Sequence, residues 1–393
     1  MGTSKINSFV IKNAENELKS VCMNGLKERF GKNPPEAVKE RLIHELDVIS
    51  KNHHVTYYLL ASKLAKEAER LHQVMLIRGT ITSSLTAYTS GFSDINPMEK
   101  EYGGINLPFE SSFEEYAVKE PCLDIQCSVA FIQFAQIFLY KEFPEYRQII
   151  YPLKSEGDYG IRAVRLYLLK PEKMPDIKLS DADKCNPESF FDYMFLQGFF
   201  HITFINDISM ELMRNSRYSD LDFDLDKADL GVSIVDLWKY SKKMDGSLRD
   251  FRKLKVKTYE ELIKVKSMAY STDVWDGMVK DMVLDKRLPL SDIIGSREDL
   301  FDYLIKIGFD RQEAFYISNR VRRGKHLTDE QLRKLKAHGA EEWVIDLCGR
   351  VQYLFPKAHI AQMIRRDAFC LKILDRYEED PDNEQIVTLN GFI

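Results

Sequence analysis

The sequence predicts an α+β fold, and three observations carry that expectation. Residues 14–30 and 36–50 alternate apolar and charged positions at helical spacing, and a third helical pattern runs from about Thr56 to His72. Short apolar runs of strand character, QVMLI at 73–77 and RAVRLYLL at 162–169, break up the helical patterns. With 44% hydrophobic and 30% charged residues, the 393-residue chain has the composition of an ordinary globular protein, long enough for two or three cores.

Taken in order, Pro34-Pro35 stops the first helix, and Pro35 with Glu36 suits the opening turn of the second. In that second helix Val38, Leu42, Ile43, Leu46 and Ile49 form the expected buried stripe. After QVMLI comes a strand-to-helix turn, Arg78-Gly79-Thr80-Ile81-Thr82-Ser83-Ser84. A helix is expected from about Val129 to Phe143, with a short connection to Gly160 before RAVRLYLL. The apolar run from Ser128 to Tyr140 is too short to span a bilayer and carries two glutamines, so no membrane association is expected.

Net charge is only −5, which excludes a chain that binds nucleic acid over its whole surface. Charge is uneven, however: residues 320–366 hold eleven Lys/Arg against five Asp/Glu, the pattern of a phosphate-binding surface or of a solvated helical face. The six cysteines form no CxxC pair, which argues against a disulfide framework or zinc knuckle and suits a reduced, cytoplasmic setting. The opening MGTSKINSF lacks the apolar core of a signal peptide. No histidine has metal-ligand spacing, and Trp275 and Trp343 are expected as core anchors.

Four blocks in sequence then carry a resemblance: Tyr259 to Gly277 with Tyr270-Ser271-Thr272-Asp273-Val274-Trp275, the run IIGSREDLFDYLI, Arg323-Gly324-Lys325, and Phe355-Pro356-Lys357-Ala358-His359. In order and spacing they resemble the fingers of the PolC-type DNA polymerase III alpha subunit, a bacterial C-family replicative polymerase. The resemblance implies a reduced C-family palm, a small mixed β-sheet with helices, over residues 1–250 with its thumb largely deleted. It implies an all-helical fingers domain over 251–375 and an acidic C-terminal tail over 376–393. It also places Arg78, Gly79, Ser83 and Ser84 in a turn that holds the incoming triphosphate, and Arg322, Arg323, Lys325, Lys357 and His359 beside that triphosphate. Where the family turn has glycine, this chain has Thr82, whose β-branch disfavours positive φ, so the turn is expected to be deformed.

The family reaction uses two magnesium ions held by three palm aspartates, since hard cations need oxygen ligands of high charge density. The resemblance places the first two at Asp124 and Gln126, or in a rival frame at Asp176 and Lys178, and the third at Thr203 after a shared Phe191-Asp192. One of the three carboxylates is matched, so Asp124 is a catalytic remnant, no metal site is expected, and magnesium enters only if the carboxylates lie elsewhere. A family zinc insertion falls between Asn96-Pro97 and Pro108; here that interval contains no cysteine. The expected function is therefore a DNA replication-related pseudo-polymerase that binds DNA, a nucleotide or a replisome protein. Two other classes stay open: a residual nucleotidyltransferase with a rearranged metal site, and a protein-interaction module that does not touch DNA.

Overall fold

The computed structural model describes residues 9–109, 123–154, 161–171, 199–207, 210, 254, 256, 258–275, 279–285 and 288–378, with side chains to 368 in the last helix. The expected boundary near residue 250, the Asp176/Lys178 frame, Phe191-Asp192, Cys122, Cys185 and the tail beyond 378 lie outside the described residues. The chain divides into two compact units. One comprises Met1–Ile81, Thr89–Ser93 and Glu120–Tyr218; the other comprises Thr82–Tyr88, Asp94–Lys119 and Ser219–Ile393.

In the first unit, helices α1 (Ala14–Phe30), α2 (Glu36–Lys51) and α3 (Val55–Arg70) precede strand β1 (Met75–Arg78). These follow the sequence pattern with one correction. Ile43 is exposed at 58%, whereas Glu45 is fully buried and paired with Arg41 at 3.1 Å. The inward stripe is Val38, Leu42, Glu45 and Ile49, at spacings of four, three and four. Ile43 lies about 100° round the helix from Leu42, so its side chain points outward despite its hydrophobicity. Gly25 shows how close α1 packs: a Cβ there would lie 1.8 Å from the Thr89 carbonyl oxygen.

The sheet has the order β1-β2-β5-β4-β3, with β2 (Leu123–Cys127), β3 (Arg147–Lys154), β4 (Ile161–Leu169) and β5 (His201–Asn206). β2 and β5 run parallel; the other pairs are antiparallel. The sheet is thus small and mixed, as expected. Strand β3 falls in the segment expected from sequence as a short connection to Gly160, and it contains Pro152, a residue disfavoured inside a sheet. It is accommodated because β3 is an edge: it pairs on one side only, so alternate N–H groups have no ladder partner to lose.

Helix α5 (Val129–Glu142; α4 is defined below) is capped by Ser128, whose hydroxyl accepts from the Phe131 N–H at 3.0 Å. Its buried residues Phe131, Ile132, Ala135 and Leu139 face the sheet unit's interior, with Ile77, Ile125, Ile202 and Phe204 buried from the strands. Phe9 joins this core, with its ring 5.0 Å from Phe143 and 4.8 Å from Phe200.

The second unit is helical apart from short turns among its described residues. After α4 (Leu85–Thr89), which begins in this unit, come α6 (Tyr259–Tyr270), α7 (Lys280–Leu284), α8 (Arg297–Lys306), α9 (Arg311–Arg322), α10 (Asp329–Ala337), α11 (Glu342–Arg350) and α12 (Lys357–Glu378). Capping boxes start α6 at Thr258, α8 at Ser296 and α10 at Thr328. One apolar cluster runs through the unit and includes Trp275 and Trp343, the expected anchors, at 3% and 7% exposure. Lys266 is wholly buried beside Asp367 at 2.7 Å, and Arg366 donates to the same carboxylate at 2.8 and 3.1 Å. No helix among the described residues is long and apolar enough to cross a membrane.

Candidate functional site

The register of the first unit's sheet brings the sequence candidates of that unit into one line. Arg78 on β1 pairs with Asp124 on β2, Asp124 pairs with Thr203 on β5, and Thr203 pairs with Arg165 on β4. Register partners project from the same face of a sheet. Alternation in β2 buries Leu123, Ile125 and Cys127, leaving Asp124 and Gln126 on the opposite, polar face. The two positions expected to replace palm carboxylates, Gln126 and Thr203, therefore sit directly around Asp124.

Sequence reasoning missed three neighbours of this row. Arg165 stands between Val164 and Leu166 in the mainly apolar strand β4, a signal that could have found it. His201, two residues before Thr203, lies on the same face; its Nδ1 donates to the Phe199 carbonyl at 3.0 Å, which fixes the tautomer. Burial, and then the nearby Arg165 charge, hold this imidazole below its usual value against the opposing pull of that hydrogen bond and of Asp124. Asp207, just past β5, accepts from the Gln126 amide at 3.3 Å.

A pair of divalent cations does not fit this donor set. The row's single carboxylate stands between Arg78 and the neutral Thr203, with Arg165 on the far side of Thr203, and the amide of Gln126 is turned as a donor toward Asp207. Among the described residues, no three His, Cys, Asp or Glu converge as a metal site.

The turn after β1 is built differently from a glycine-lined nest. Gly79 takes φ +93° with open space where a Cβ would stand, so glycine is required there for its conformation. Thr82 lies in a 3₁₀ turn, Thr80–Ser83, and avoids positive φ. Ser83 and Ser84 are fully buried in the second unit. The Ser84 hydroxyl accepts from the Ala87 N–H at 3.0 Å and so caps α4.

In the second unit the basic motif Arg322-Arg323-Gly324-Lys325 closes α9. Gly324 N–H donates to Val321 O at 2.9 Å and Lys325 N–H to Arg320 O at 3.2 Å, the crossed pair of a Schellman stop. Gly324 has φ +64°, and a Cβ there would meet the Gln352 carbonyl oxygen at 2.5 Å. The turn leaves Arg323 and Lys325 exposed on either side. Arg322 is half-buried, its guanidinium 5.8 Å over the Tyr353 ring and 3.5 Å from the Tyr353 hydroxyl. Lys357 donates from Nζ to Ile105 O at 3.0 Å, and its N–H donates to Glu298 at 2.7 Å. His359 is 6% exposed and stacked on Phe355 with centroids 5.6 Å apart. Of the five basic candidates in this unit, two thus face solvent outright, and three are engaged with neighbouring groups.

Comparison with known proteins bears on both units. The family model described as the bacterial DNA polymerase III alpha NTPase domain matches residues 16–138. The PolC-type DNA polymerase III of Caldanaerobacter subterraneus subsp. tengcongensis is 24% identical over 89% of this chain and 32% of that polymerase. That of Oceanobacillus iheyensis is 24% identical over 90% and 32%. That of Listeria monocytogenes is 37% identical over 107 residues, 27% of this chain and 7% of the polymerase. The chain spans about a third of the length of the relatives it matches along most of its own length. On these matches, together with an α+β fold that joins a small mixed sheet to a helical unit, the chain is a PolC-like protein, related to the alpha subunits of bacterial DNA polymerase III.

Proposed function

We propose that this chain acts in DNA replication by binding nucleic acid, a nucleotide or a replisome component, without transferring nucleotides. In this reading the sheet unit is a degenerate palm with little thumb, and the helical unit corresponds to the fingers. The observation that supports it is the row Arg78–Asp124–Thr203–Arg165, one carboxylate between two guanidiniums where nucleotidyl transfer needs several carboxylates around two cations. A rearranged metal site using Asp124 and Asp207 is the rival. It is disfavoured because the Gln126 amide already donates to Asp207. Binding through Arg323 and Lys325 would be electrostatic and indifferent to base sequence, with dissociation constants on the order of 10⁻⁴–10⁻⁶ M at physiological salt. The test is primer extension with Mg²⁺ or Mn²⁺ beside a binding titration on primer–template DNA. No incorporation is expected. Template-directed incorporation that disappears in Asp124→Ala would overturn the proposal.

A further inference from the structure

The polar face of the sheet has changed the sign of ion it suits. We infer that Arg78 and Arg165, flanking Asp124 and Thr203, form a phosphate-binding surface that holds a chain of linked phosphates directly, without a divalent metal. This deepens the binding reading above and rests on it; Arg165 and His201 are its new elements.

The geometry follows from the register alone. Arg78 and Arg165 stand in the same row, three strand spacings apart, hence about 14 Å between their backbones. That separation is too wide for both guanidiniums to clasp one small anion and suits two phosphates of a polyphosphate or of a nucleic-acid strand. Guanidinium groups bind phosphate oxygens through paired N–H donors without help from a metal. Between them, Thr203 is neutral and Asp124 is the row's single negative charge, so the row carries an excess of positive charge. His201 lies on the same face, within electrostatic reach of Arg165 and Asp124, and burial keeps it neutral and small in charge effect. A bound anion would favour its protonated form and gain a third partner.

The charged and titratable groups on this face come from all five strands: Arg78 from β1, Asp124 from β2, Arg165 and Tyr167 from β4, His201 with the following Asp207 from β5, and, from β3, Tyr151, which pairs with Arg165, and Arg147. Asp207 is the opposing charge, but it lies beyond the Asn206–Cys127 pair, more than one register step from the Thr203 row, and receives the Gln126 amide.

The experiment is titration of the full chain with tripolyphosphate in EDTA and again in excess Mg²⁺, with Arg165→Ala, Arg165→Lys, Thr203→Asp and Arg323→Ala/Lys325→Ala variants beside the parent. Circular dichroism checks that each variant is folded. The expected result is binding in EDTA that Mg²⁺ weakens by competing for the phosphates. Arg165→Ala should weaken it about tenfold, as for one lost charge-assisted hydrogen bond. Arg165→Lys should retain much of it, and Thr203→Asp, which puts a second negative charge in the row, should weaken it at least as much as Arg165→Ala. Binding that needs Mg²⁺ and strengthens in Thr203→Asp would overturn both this inference and the non-catalytic reading. Metal-free binding that ignores Arg165 and vanishes in Arg323→Ala/Lys325→Ala would overturn this inference while leaving the binding reading standing. Absence of any tripolyphosphate binding would overturn this inference alone, provided the DNA titration is positive.

Discussion

Removing the two exposed basic groups beside Gly324 should change the salt dependence of DNA binding by an amount the structure sets. Sequence alone offers five basic candidates in the helical unit, Arg322, Arg323, Lys325, Lys357 and His359. Three are committed elsewhere: Arg322 to the Tyr353 ring, Lys357 to the Ile105 carbonyl, and His359 to its stack on Phe355. That leaves Arg323 and Lys325. Each phosphate neutralised on duplex DNA contributes a slope of about −0.9 in log affinity against log salt, so the pair contributes about −1.8. Between 50 and 200 mM salt, that component alone lowers affinity by roughly twelvefold. Arg323→Ala/Lys325→Ala should therefore flatten the parent's slope by about 1.8 and lose most affinity at low salt. Fluorescence anisotropy on a short duplex across that salt range measures it directly. A complication is that Arg323 sits at the C-terminus of α9, where a cation offsets the helix dipole by about 0.3–1 kcal/mol. Binding is therefore compared at a temperature well below the variant's melting point. An unchanged slope would refute the assignment of phosphate contacts to this turn, and a parent slope of about −3.6, the value for four phosphates, would show that Arg322 and Lys357 leave their partners to bind.

Three stability outcomes follow from the same unit. Gly324→Ala forces a side chain into φ +64° and against a backbone oxygen at 2.5 Å, and should cost about 2 kcal/mol or more in denaturant unfolding; an unchanged midpoint would contradict the tight turn. Lys266→Met leaves Asp367 buried with Arg366 alone and should cost about 3 kcal/mol, with Lys266→Met/Asp367→Leu recovering part of the loss because the buried carboxylate goes with the ammonium, and Arg366, which loses that carboxylate, is 15% exposed. Burial raises the Asp299 carboxyl, but the Lys264 and Lys357 charges and hydrogen bonds from Lys264 and Ser296 outweigh it and hold it below the usual 3.8. A carboxyl depressed in the folded state contributes stability above its unfolded pKa and loses it as pH falls through the folded value. Asp299→Asn should accordingly reduce stability at pH 7, with the difference shrinking below about pH 4; an equal difference at both ends would argue against the linkage.

Local structure was legible where one residue's environment is set by its near neighbours. The three N-terminal helices, strands β1 and β4 and helix α5 fall within a few residues of the periodic patterns, because amphipathic spacing and caps act over single turns. Ile43 was misplaced because hydrophobicity was counted without its angle on the helix, and Glu45 took an inward position with Arg41 to neutralise it. Strand β3 lies in what was expected as a short connection, and its Pro152 is tolerated because of the strand's edge position in the sheet, which is a tertiary fact. The order β1-β2-β5-β4-β3 was equally out of reach, since the parallel β2–β5 pair joins segments far apart in sequence. The same limit hid Arg165. Asp124, Gln126 and Thr203 were found along the chain, whereas the residue that completes their row is placed only by two successive strand registers.

The sequence blocks singled out in the helical unit are tied largely to one another. Ser271 donates from its hydroxyl to the Gly295 carbonyl at 3.1 Å and accepts from the Phe355 N–H at 3.1 Å. Thr272 N–H donates to Tyr353 O at 3.0 Å, and Arg297 N–H to Phe355 O at 3.2 Å. The YSTDVW, GSRED and FPKAH runs thus form one backbone knot under the apolar cluster, and the Leu354 N–H reaches the Arg322 carbonyl at 3.2 Å to bring in the RRGK turn. Of these bonds, the two through the Ser271 hydroxyl depend on a side chain, and the others join main-chain groups. In the other unit, Asp124 and Gln126 hold half-buried positions on β2, and Thr203 a buried one on β5 at 8% exposure. Separate physical requirements thus hold the two sets of candidate residues in place: hydrogen bonds between distant segments in the helical unit, and strand register in the sheet unit.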